Sequence, residues 1–176
     1  MKHNYDIIVV GGGHAGVEAA MIASKLSCRI GVVSMDKQSI GRMSCNPAIG
    51  GVAKGQIVRE IDILGGLMGR VSDRSGLQFK VLNKSKGRSV WSPRAQVDKR
   101  KYEERVSKIV LSGEGINFIK GEVVSLIIKN NSTRGVVLRS GESINSKTVV
   151  ITCGTFLSGV IPVSYTHLTL PTILLV

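Results

Sequence analysis

In the first third of the chain the pattern of apolar and polar residues changes from a short apolar run to a helical repeat, and then back to a short apolar run. The run Tyr5–Val10 is rich in β-branched residues and carries no charge after Asp6, which is typical of a strand buried on both faces of a parallel sheet. A helical repeat of apolar residues follows over Ala15–Ser27, and a second apolar run occupies Cys28–Ser34. We therefore predict a β-α-β unit of about 30 residues.

Beyond this unit the pattern predicts two helical segments, a strand and a further helix, and from Ile116 onward it predicts strands. Ser92 and Pro93 have the form of an N-cap followed by proline at the first helical position. From Ile116 onward the pattern indicates a third parallel strand, an antiparallel meander and a last buried strand. The predicted fold class is α/β and Rossmann-like, with a parallel sheet and an antiparallel β-meander. The other predicted segments are a helix at Gly55–Leu64, a short helical turn at Leu67–Arg74, a strand at Leu77–Asn83, a helix at Pro93–Leu111 and a last strand at Thr148–Thr155.

The turn between the first strand and the first helix has the Gly-x-Gly-x-x-Gly spacing. In dinucleotide-binding folds the first glycine makes a tight turn, the second lets the backbone approach a pyrophosphate, and the third lets the helix pack closely. The helix N-terminus adds free N–H groups and a positive dipole end. Glycine-rich turns also occur as plain connections between a strand and a helix, but this context favours a dinucleotide site. The predicted binding residues are Gly11, Gly12, Gly13, His14, Ala15 and Gly16.

An acidic residue near the end of the second strand usually binds the ribose hydroxyls in this fold. Here Ser34 stands at the strand end and Asp36 lies two residues further on. Both are candidates for the ribose contact. The alternative is that Asp36 only starts a turn, and the residues alone leave the two interpretations equal.

The glycine-rich loop Ser39–Gly55 contains Cys45, between Ser44 and an Asn-Pro pair. A thiol close to a helix N-terminus and to a basic residue such as Lys54 has a lowered pKa and is reactive. A free cysteine is more commonly a small buried apolar residue. The physical argument does not decide between a catalytic and a structural Cys45.

The charge balance changes the picture of possible partners. Lys and Arg number 24 against 12 acidic residues, which gives a net charge of +12. Such a balance favours a polyanion such as nucleic acid, although a protein can simply be basic. The segment Lys84–Arg94 is strongly basic and contains Trp91 but no acidic residue. Either this segment is a solvated surface or it contacts RNA, in which case Lys86 and Arg94 are the candidate residues.

Cysteine usage and the N-terminus bear on the compartment. Cys28, Cys45 and Cys153 are odd in number, far apart and without metal-ligand spacing, so we expect neither a disulfide framework nor a metal site. The N-terminus passes directly into a strand without the pattern of a signal peptide, and no apolar run approaches the roughly 20 residues of a membrane span. We expect a cytoplasmic protein that does not bind membranes.

Several longer stretches together resemble the glucose-inhibited division protein A family, the flavin subunit of the bacterial tRNA uridine 5-carboxymethylaminomethyl modification enzyme. The resemblance covers Tyr5 to about Ile161, and the motifs SCNPAIGG and SPRAQ are much more specific than the glycine turn. It identifies residues 1–162 as the N-terminal part of a truncated FAD-binding domain. The stretches are GGGHAG, GRMSCNPAIGGVAKG, REIDILGGLMGR, QFKVLNKSKG, SPRAQVDK and VITCGTFLSG.

The resemblance implies a specific chemistry. FAD would be bound by Gly11–Gly16, with Val123 on the third strand and Gly154 after the last strand also at the flavin nucleotide. Cys45 would take part in catalysis, by adding to the uracil ring or by acting with the flavin or another cysteine. Family members form homodimers, work with an MnmE-type GTPase, and use NADH and methylene-tetrahydrofolate. They add an aminomethyl or carboxymethylaminomethyl group to C5 of the wobble uridine of tRNA.

The chain departs from the family in two places. Arg88, Ser89 and Trp91 stand where the family usually has other residues, which puts the local loop and its contacts in doubt. The uncharged segment 163–176 fits neither the family nor a helix cap and resembles translated adapter sequence. Because 176 residues are few for such an enzyme, two alternatives stand beside the main interpretation. One is a folate- and FAD-dependent tRNA uridine methyltransferase, and the other is a fragment that binds nucleotide without catalysis.

Overall fold

The uncharged run after Asp6 forms a central strand of a six-stranded sheet. In the computed structural model, which describes residues 4–44, 46–154, 162–164 and 167–168, β1 is flanked by β2 and β9, both parallel to it. A further parallel strand, β6, pairs with β2, whereas β8 and β7 extend the other edge as an antiparallel meander. The order is β6-β2-β1-β9-β8-β7. The bounds are β1 Asn4–Val10, β2 Ile30–Ser34, β6 Ile116–Lys120, β7 Val123–Lys129, β8 Ser132–Leu138 and β9 Ser143–Ile151.

The two faces of β1 and β2 are buried by different layers. Val9 and Val32 face a helical layer whose core includes Tyr102 and Val106. Successive residues of a strand point to opposite faces, and Ile8, Val10 and Val33 accordingly pack against the meander. Burial on both faces explains why these strands are continuous apolar runs without alternation. The helices of the chain are α1 His14–Lys25, α2 Lys54–Ile63, α3 Met68–Ser75 and α4 Lys99–Leu111.

A second, three-stranded antiparallel sheet follows the first β-α-β unit. Its order is β3-β5-β4, and α2 and α3 lie between β3 and β4 in the chain. Among the described residues β4 pairs only with β5, so one edge of this sheet is open. The bounds are β3 Ala48–Gly50, β4 Gly76–Leu82 and β5 Ser92–Val97, and a further short antiparallel pair is formed by β10 Pro162–Ser164 and β11 His167–Leu168.

The predicted helix Pro93–Leu111 is wrong in its first turn and a half. Ser92–Val97 forms β5, and the helix begins only at Lys99, with the Asp98 carboxylate accepting a hydrogen bond from the N–H of Lys101 at 3.1 Å. Pro93 is the second residue of β5, and its carbonyl accepts from the N–H of Gly51, just past the end of β3. A proline is tolerated at the start of a strand, where a missing N–H costs little pairing.

The other predicted elements are present with shifted bounds. The predicted parallel sheet with an antiparallel meander is confirmed, and Asn130 and Asn131 form the tight turn between β7 and β8 with positive φ angles of 49° and 57°, as two-residue hairpin turns require. The predicted turn at Leu67–Arg74 is a full helix, α3. The helix predicted at Gly55–Leu64 is α2, and two of its apolar side chains, Ile57 and Ile63, are exposed.

Candidate cofactor and substrate site

The glycine turn is closed by a contact with the last strand of the sheet. Gly11 has a φ of +108°, and a Cβ there would lie 2.7 Å from the carbonyl oxygen of Thr152. A Cβ at Gly16 would overlap the carbonyl oxygen of Gly11 and lie 2.8 Å from the Thr152 hydroxyl. The Thr152 hydroxyl itself donates to the carbonyls of Val10 and Gly11, at 2.9 and 3.1 Å. Gly11 and Gly16 are therefore needed for the turn and for the close approach of α1, as predicted.

Gly13 differs from these two glycines because the space in front of it is open. Among the described residues, no atom other than those of its chain neighbours lies within 4 Å of the position a Cβ would take, and the φ of −69° is one that any residue adopts. Gly13 is the N-cap residue of α1, and no side chain caps this helix end within the described residues. His14 and Ala15 supply the next N–H groups of the helix start. The turn thus presents backbone donors and the positive end of a helix dipole to an open space.

The two ribose candidates occupy different environments. The Ser34 hydroxyl is half-buried at the end of β2, 2.8 Å from the hydroxyl of Ser39. A Cβ on Gly12 would lie 3.5 Å from Ser34 Oγ, which places this hydroxyl beside the glycine turn. Asp36 is exposed, and one carboxylate oxygen accepts from the N–H of Gln38 at 3.0 Å. Asp36 therefore starts a turn, and this role does not conflict with a ribose contact through its other oxygen.

Cys45 itself lies outside the described residues, but the chain on either side of it is fixed at three points. Upstream, the N–H of Gly41 donates to the carbonyl of Gly12 at 2.8 Å, which holds the loop against the glycine turn. The N–H of Met43 donates to the Glu103 carboxylate of α4 at 2.7 Å. Downstream, the carbonyl of Pro47 accepts from the N–H of Val97 at 2.8 Å, which fixes the loop to the second sheet. The loop that carries the cysteine therefore connects the glycine turn to the second sheet.

His14 lies against α4 at the start of α1. Its ring packs edge-on to Tyr102, with the ring centroids 5.7 Å apart. Its buried Nε2 has no hydrogen-bond partner within the described part of the chain. Burial, and then the positive charge of Lys54, lower the pKa of His14, whereas the charge of Glu103 acts in the opposite direction. At neutral pH the imidazole is therefore uncharged.

The neighbouring phenol is also held in its neutral form. Burial raises the pKa of Tyr102, and the negative charge of Glu18 raises it further. With a neutral imidazole beside it, this phenol leaves the start of α1 without a side-chain charge from either ring. The two rings therefore add no charge to the positive end of the helix dipole.

Sequence reasoning missed two carboxylates that fix the helices around the site. Glu18 on α1 accepts hydrogen bonds from the N–H groups of Leu67, at 3.0 Å, and Met68, at 2.6 Å, and so caps the start of α3. Glu103 on α4 accepts from the N–H of Met43 and so holds the cysteine loop against this helix. The partners of Glu18 are 49 and 50 residues away in sequence. No local pattern such as a capping box signals such contacts, because the box depends on a spacing of three residues.

The two remaining candidates for flavin contacts lie in the same half of the sheet, on or after β7 and β9. Val123 is the first residue of β7 and packs, half-buried, against the cluster that contains Val10 and Val33. Those residues end β1 and β2, so Val123 lies toward the edge at which the glycine turn lies. Gly154 follows β9, is exposed and has a φ of +60° with open space before it.

The two candidate RNA contacts both lie on the hairpin formed by β4 and β5. Lys86 is exposed in the loop at the hairpin tip, and Arg94 is half-buried on β5. Trp91 closes the tip loop, because its indole N–H donates to the carbonyl of Lys84 at 3.2 Å and the Arg88 guanidinium lies over its ring at 5.8 Å. The basic segment is therefore an ordered hairpin end and not a helix face.

The described residues also bear on metal binding and membrane insertion. No group of three or more His, Cys, Asp or Glu side chains is placed to hold a metal ion in that part of the molecule. None of its helices has both the length and the apolar character to span a bilayer.

Comparison with known proteins identifies the family. The sequence profile of the family described as glucose inhibited division protein A matches residues 6–169. The chain belongs to the glucose-inhibited division protein A family. It is 50% identical over 157 residues to the tRNA uridine 5-carboxymethylaminomethyl modification enzyme MnmG of Aquifex aeolicus, and 52% identical over 157 residues to the MnmG of Flavobacterium johnsoniae. Each alignment covers 89% of this chain and 25% of the relative. The chain therefore spans about a quarter of the length of these curated relatives.

Solved structures give the same result for the fold. GidA of Aquifex aeolicus superposes with a TM-score of 0.84 at 49% identity, over 90% of this chain and 26% of that one. The flavin-dependent brominase Bmp2 superposes with a TM-score of 0.59 at 19% identity, over 88% of this chain and 40% of that one. The second likeness concerns the fold alone. The Rossmann-like architecture predicted from the hydrophobic pattern is thus confirmed in a member of this family.

Proposed function

We propose that this chain is the N-terminal part of an FAD-dependent enzyme that modifies C5 of the wobble uridine of tRNA. The observation that carries the proposal is the identity of about half of all aligned residues to proteins named tRNA uridine 5-carboxymethylaminomethyl modification enzymes. The geometry of the glycine turn supports it, because the turn has the open backbone donors that a dinucleotide pyrophosphate needs.

The residues present fit FAD at its ADP half. Gly13 leaves room for a phosphate where any larger residue would place a Cβ, and it is the N-cap of α1, whose first N–H groups have no side-chain cap among the described residues. Ser34 stands beside the turn and would bind the ribose together with Asp36. Val123 and Gly154 would line the nucleotide. When bound, FAD supplies the redox chemistry that a carbon transfer to uracil requires.

Cys45 is proposed as the residue that activates the uracil ring. Its thiolate adds to C6, and the electrons of the C5–C6 double bond move to the C4 carbonyl, so that C5 becomes nucleophilic. After C5 has formed its new bond to carbon, loss of the C5 proton and departure of the thiolate restore the ring. The fixed points on both sides of the loop, at Gly41, Met43 and Pro47, would hold the thiol in place.

The remaining assignments are proposed for the longer protein of which such a domain is a part. The one-carbon unit would come from methylene-tetrahydrofolate, NADH would reduce the flavin, and an MnmE-type GTPase would act with the enzyme. The functional form would be a homodimer working on tRNA in the cytoplasm. Residues 163–176 are proposed to be foreign to this protein, although the family profile extends into this segment, to residue 169. Sequencing the locus from source DNA tests that assignment.

A chimera tests the proposal directly. Residues 1–162 replace the N-terminal quarter of the Aquifex aeolicus relative, and the chimera is expressed in a bacterium that lacks its own enzyme. We expect the purified chimera to carry flavin, and mass spectrometry of tRNA nucleosides to recover carboxymethylaminomethyl- or aminomethyl-uridine. A mass corresponding to a single methyl group would instead identify the chain as part of a methyltransferase.

Two cysteine variants of the chimera test the role of Cys45. Cys45→Ser is expected to abolish the modified nucleoside while the flavin content remains unchanged. Cys28→Ser is the matched control, because Cys28 lies outside the loop, is half-buried and packs against the core. Normal modification by the Cys45→Ser variant would remove Cys45 from the mechanism.

A second candidate function concerns the chain of 176 residues by itself. It spans only a quarter of its relatives, and the open edge of the second sheet leaves apolar side chains uncovered. On this basis the isolated chain is a nucleotide-binding fragment without catalysis. Purification tests this point. The chain is incubated with FAD and separated from free FAD by gel filtration, and a protein fraction without flavin absorption would contradict even nucleotide binding.

A further inference from the structure

A cleft of about 600 Å³ lies between α2, α3 and the hairpin of β4 and β5. None of its lining residues belongs to the glycine turn, so the cleft is separate from the proposed flavin site. Apolar groups form much of its wall. Its charged lining residues are Arg59, Lys80, Lys84, Arg94, Asp62 and Asp73.

Two of these cations face each other across the hairpin. Lys80 on β4 and Arg94 on β5 occupy directly opposed positions in the strand register, so their side chains project from the same face. Like charges at such positions repel each other and destabilise the strand pair. A bound anion would remove this cost, because it offers both cations a common partner.

No carboxylate of the described chain neutralises the four cations. None of Arg59, Lys80, Lys84 and Arg94 has a carboxylate oxygen within 4.0 Å among the described residues, although two aspartates line the same cleft. The cleft therefore combines four cations with two carboxylates and keeps a net positive charge.

A second basic depression on the molecule provides a contrast. It has a volume of about 400 Å³ and contains Lys129, Arg134, Arg29 and Lys147. Asp6 pairs with two of its four cations, at 3.8 Å from Arg29 and 2.8 Å from Lys147. Two of its cations thus have a direct ion-pair partner, whereas the cations of the cleft have none within 4.0 Å among the described residues. The depression lies at the start of β1, at the opposite end of the strand from the glycine turn.

We propose that the cleft between α2, α3 and the β4–β5 hairpin binds phosphate groups of the substrate, with Lys80 and Arg94 as the central pair. The choice of RNA as the source of these phosphates rests on the proposed function. Arg94 holds the planar guanidinium suited to phosphate oxygens, and Lys80 acts as a point charge. Arg59 and Lys84 supply further positive charge at the same cleft.

Fluorescence anisotropy of a labelled RNA stem-loop with a uridine-containing loop tests the proposal on the purified 176-residue chain. The test variant is Lys80→Gln with Arg94→Gln. The matched control is Lys129→Gln with Arg134→Gln, which removes one Lys and one Arg from the second depression and changes the net charge equally. We expect at least a tenfold loss of affinity in the test variant and less than a twofold loss in the control.

The salt dependence of binding adds a second readout. Each phosphate contact in a single-stranded region contributes about 0.7 to the slope of log K against log salt, so the slope should fall by about 1.4 in the test variant only. The swapped variant Lys80→Arg with Arg94→Lys keeps both charges and should bind like the unaltered chain. Far-UV circular dichroism shows whether each variant is folded. If the double glutamine variant is not, the single variants Lys80→Gln and Arg94→Gln retain the test, each with a smaller expected loss of affinity.

A parallel titration with tripolyphosphate identifies the source of the phosphate. If RNA and tripolyphosphate both bind less tightly to the test variant, the cleft binds RNA phosphates. If only tripolyphosphate does, the cleft binds a small phosphate ligand and the choice of RNA is wrong. Equal losses in the test and control variants would overturn the proposal. Flavin binding is measured on the same samples, so failure of the cleft and failure of the proposed function are distinguishable.

Discussion

The two sheets of this molecule bury their strands to very different degrees. In the six-stranded sheet Ile8 and Val9 are fully buried between a helical layer and the meander. In the three-stranded sheet Leu77 and Phe79 of β4 are 68% and 60% exposed, and one edge of β4 is open among the described residues. The central strands of the first sheet are thus covered on both faces, whereas the second sheet offers surface for further contacts. The proposed nucleotide site lies on the first sheet, and the cleft with its cations lies on the second.

The largest expected effect is at Gly16, which lies beside the six-stranded sheet. In the variant Gly16→Val the new side chain collides with the carbonyl of Gly11 and the hydroxyl of Thr152. We expect a loss of at least about 3 kcal/mol in the free energy of unfolding, at the upper end for overpacked sites, measured by urea denaturation.

Gly13→Ala is the control for this substitution. The space in front of Gly13 is open and its φ suits alanine, so the loss of stability should stay below about 1 kcal/mol. Flavin affinity should nevertheless fall, because the added methyl group occupies the opening proposed for the pyrophosphate. If the two variants were equally stable, the close contact between α1 and the turn would not be required for folding.

The next effect concerns the carboxylate that joins α1 to α3. Glu18→Ala leaves the N–H groups of Leu67 and Met68 without their acceptor, and we expect a loss of about 2 kcal/mol in unfolding free energy. Glu104→Ala on the exposed side of α4 is the matched control and should change stability by less than about 0.5 kcal/mol. Thermal and urea denaturation of both variants provide the measurement, and equal values would show that the cap contributes nothing.

A smaller effect is expected from pH. Because the pKa of His14 is lowered by burial in the folded chain, the unfolded chain binds a proton first as the pH falls below about 6.5. Stability contributed by the neutral imidazole is therefore complete above that pH and is lost as the pH falls toward the folded pKa. The lowered pKa of Asp6, caused first by its hydrogen bond with Lys147, acts only below about pH 4.

Urea denaturation between pH 7.5 and 5 measures this dependence. The variant His14→Gln should show a flatter profile than the unaltered chain over that interval. A profile of the same steepness in both proteins would assign the pH dependence to another group.

The smallest effect on stability is expected in the open sheet. Phe79→Ser on β4 exchanges an exposed ring for a hydroxyl, and unfolding free energy should change by no more than about 0.5 kcal/mol. The equivalent test of the six-stranded sheet is Ile8→Ala. It truncates a buried side chain, and we expect the free energy of unfolding to fall by about 2–5 kcal/mol. A large loss on Phe79→Ser would mean that the second sheet has a core of its own, and the contrast between the sheets would fail.

The same contrast explains how far the sequence alone determined the result. The strands of the first sheet were predicted because burial on both faces leaves a continuous apolar run, and the roles of Gly11 and Gly16 follow from local backbone geometry. The prediction failed at Ser92–Val97, where a serine-proline pair is compatible with a helix start as well as a strand start, and pairing with β3 and β4 decides. Glu18, Glu103 and Thr152 could not be found, since their partners are distant in sequence.

The hydrogen bond from Thr152 to Val10 joins residues 142 positions apart, and this separation has a consequence for the order of events during synthesis. The β-α-β unit leaves the ribosome early, yet its glycine turn is not closed until β9 has emerged and inserted beside β1. Contacts of such long range are slow to form, because the intervening chain must first be brought together. A nascent chain that ends before residue 152 should therefore have an incomplete glycine turn, and we expect flavin to bind only after β9 and Thr152 have been translated.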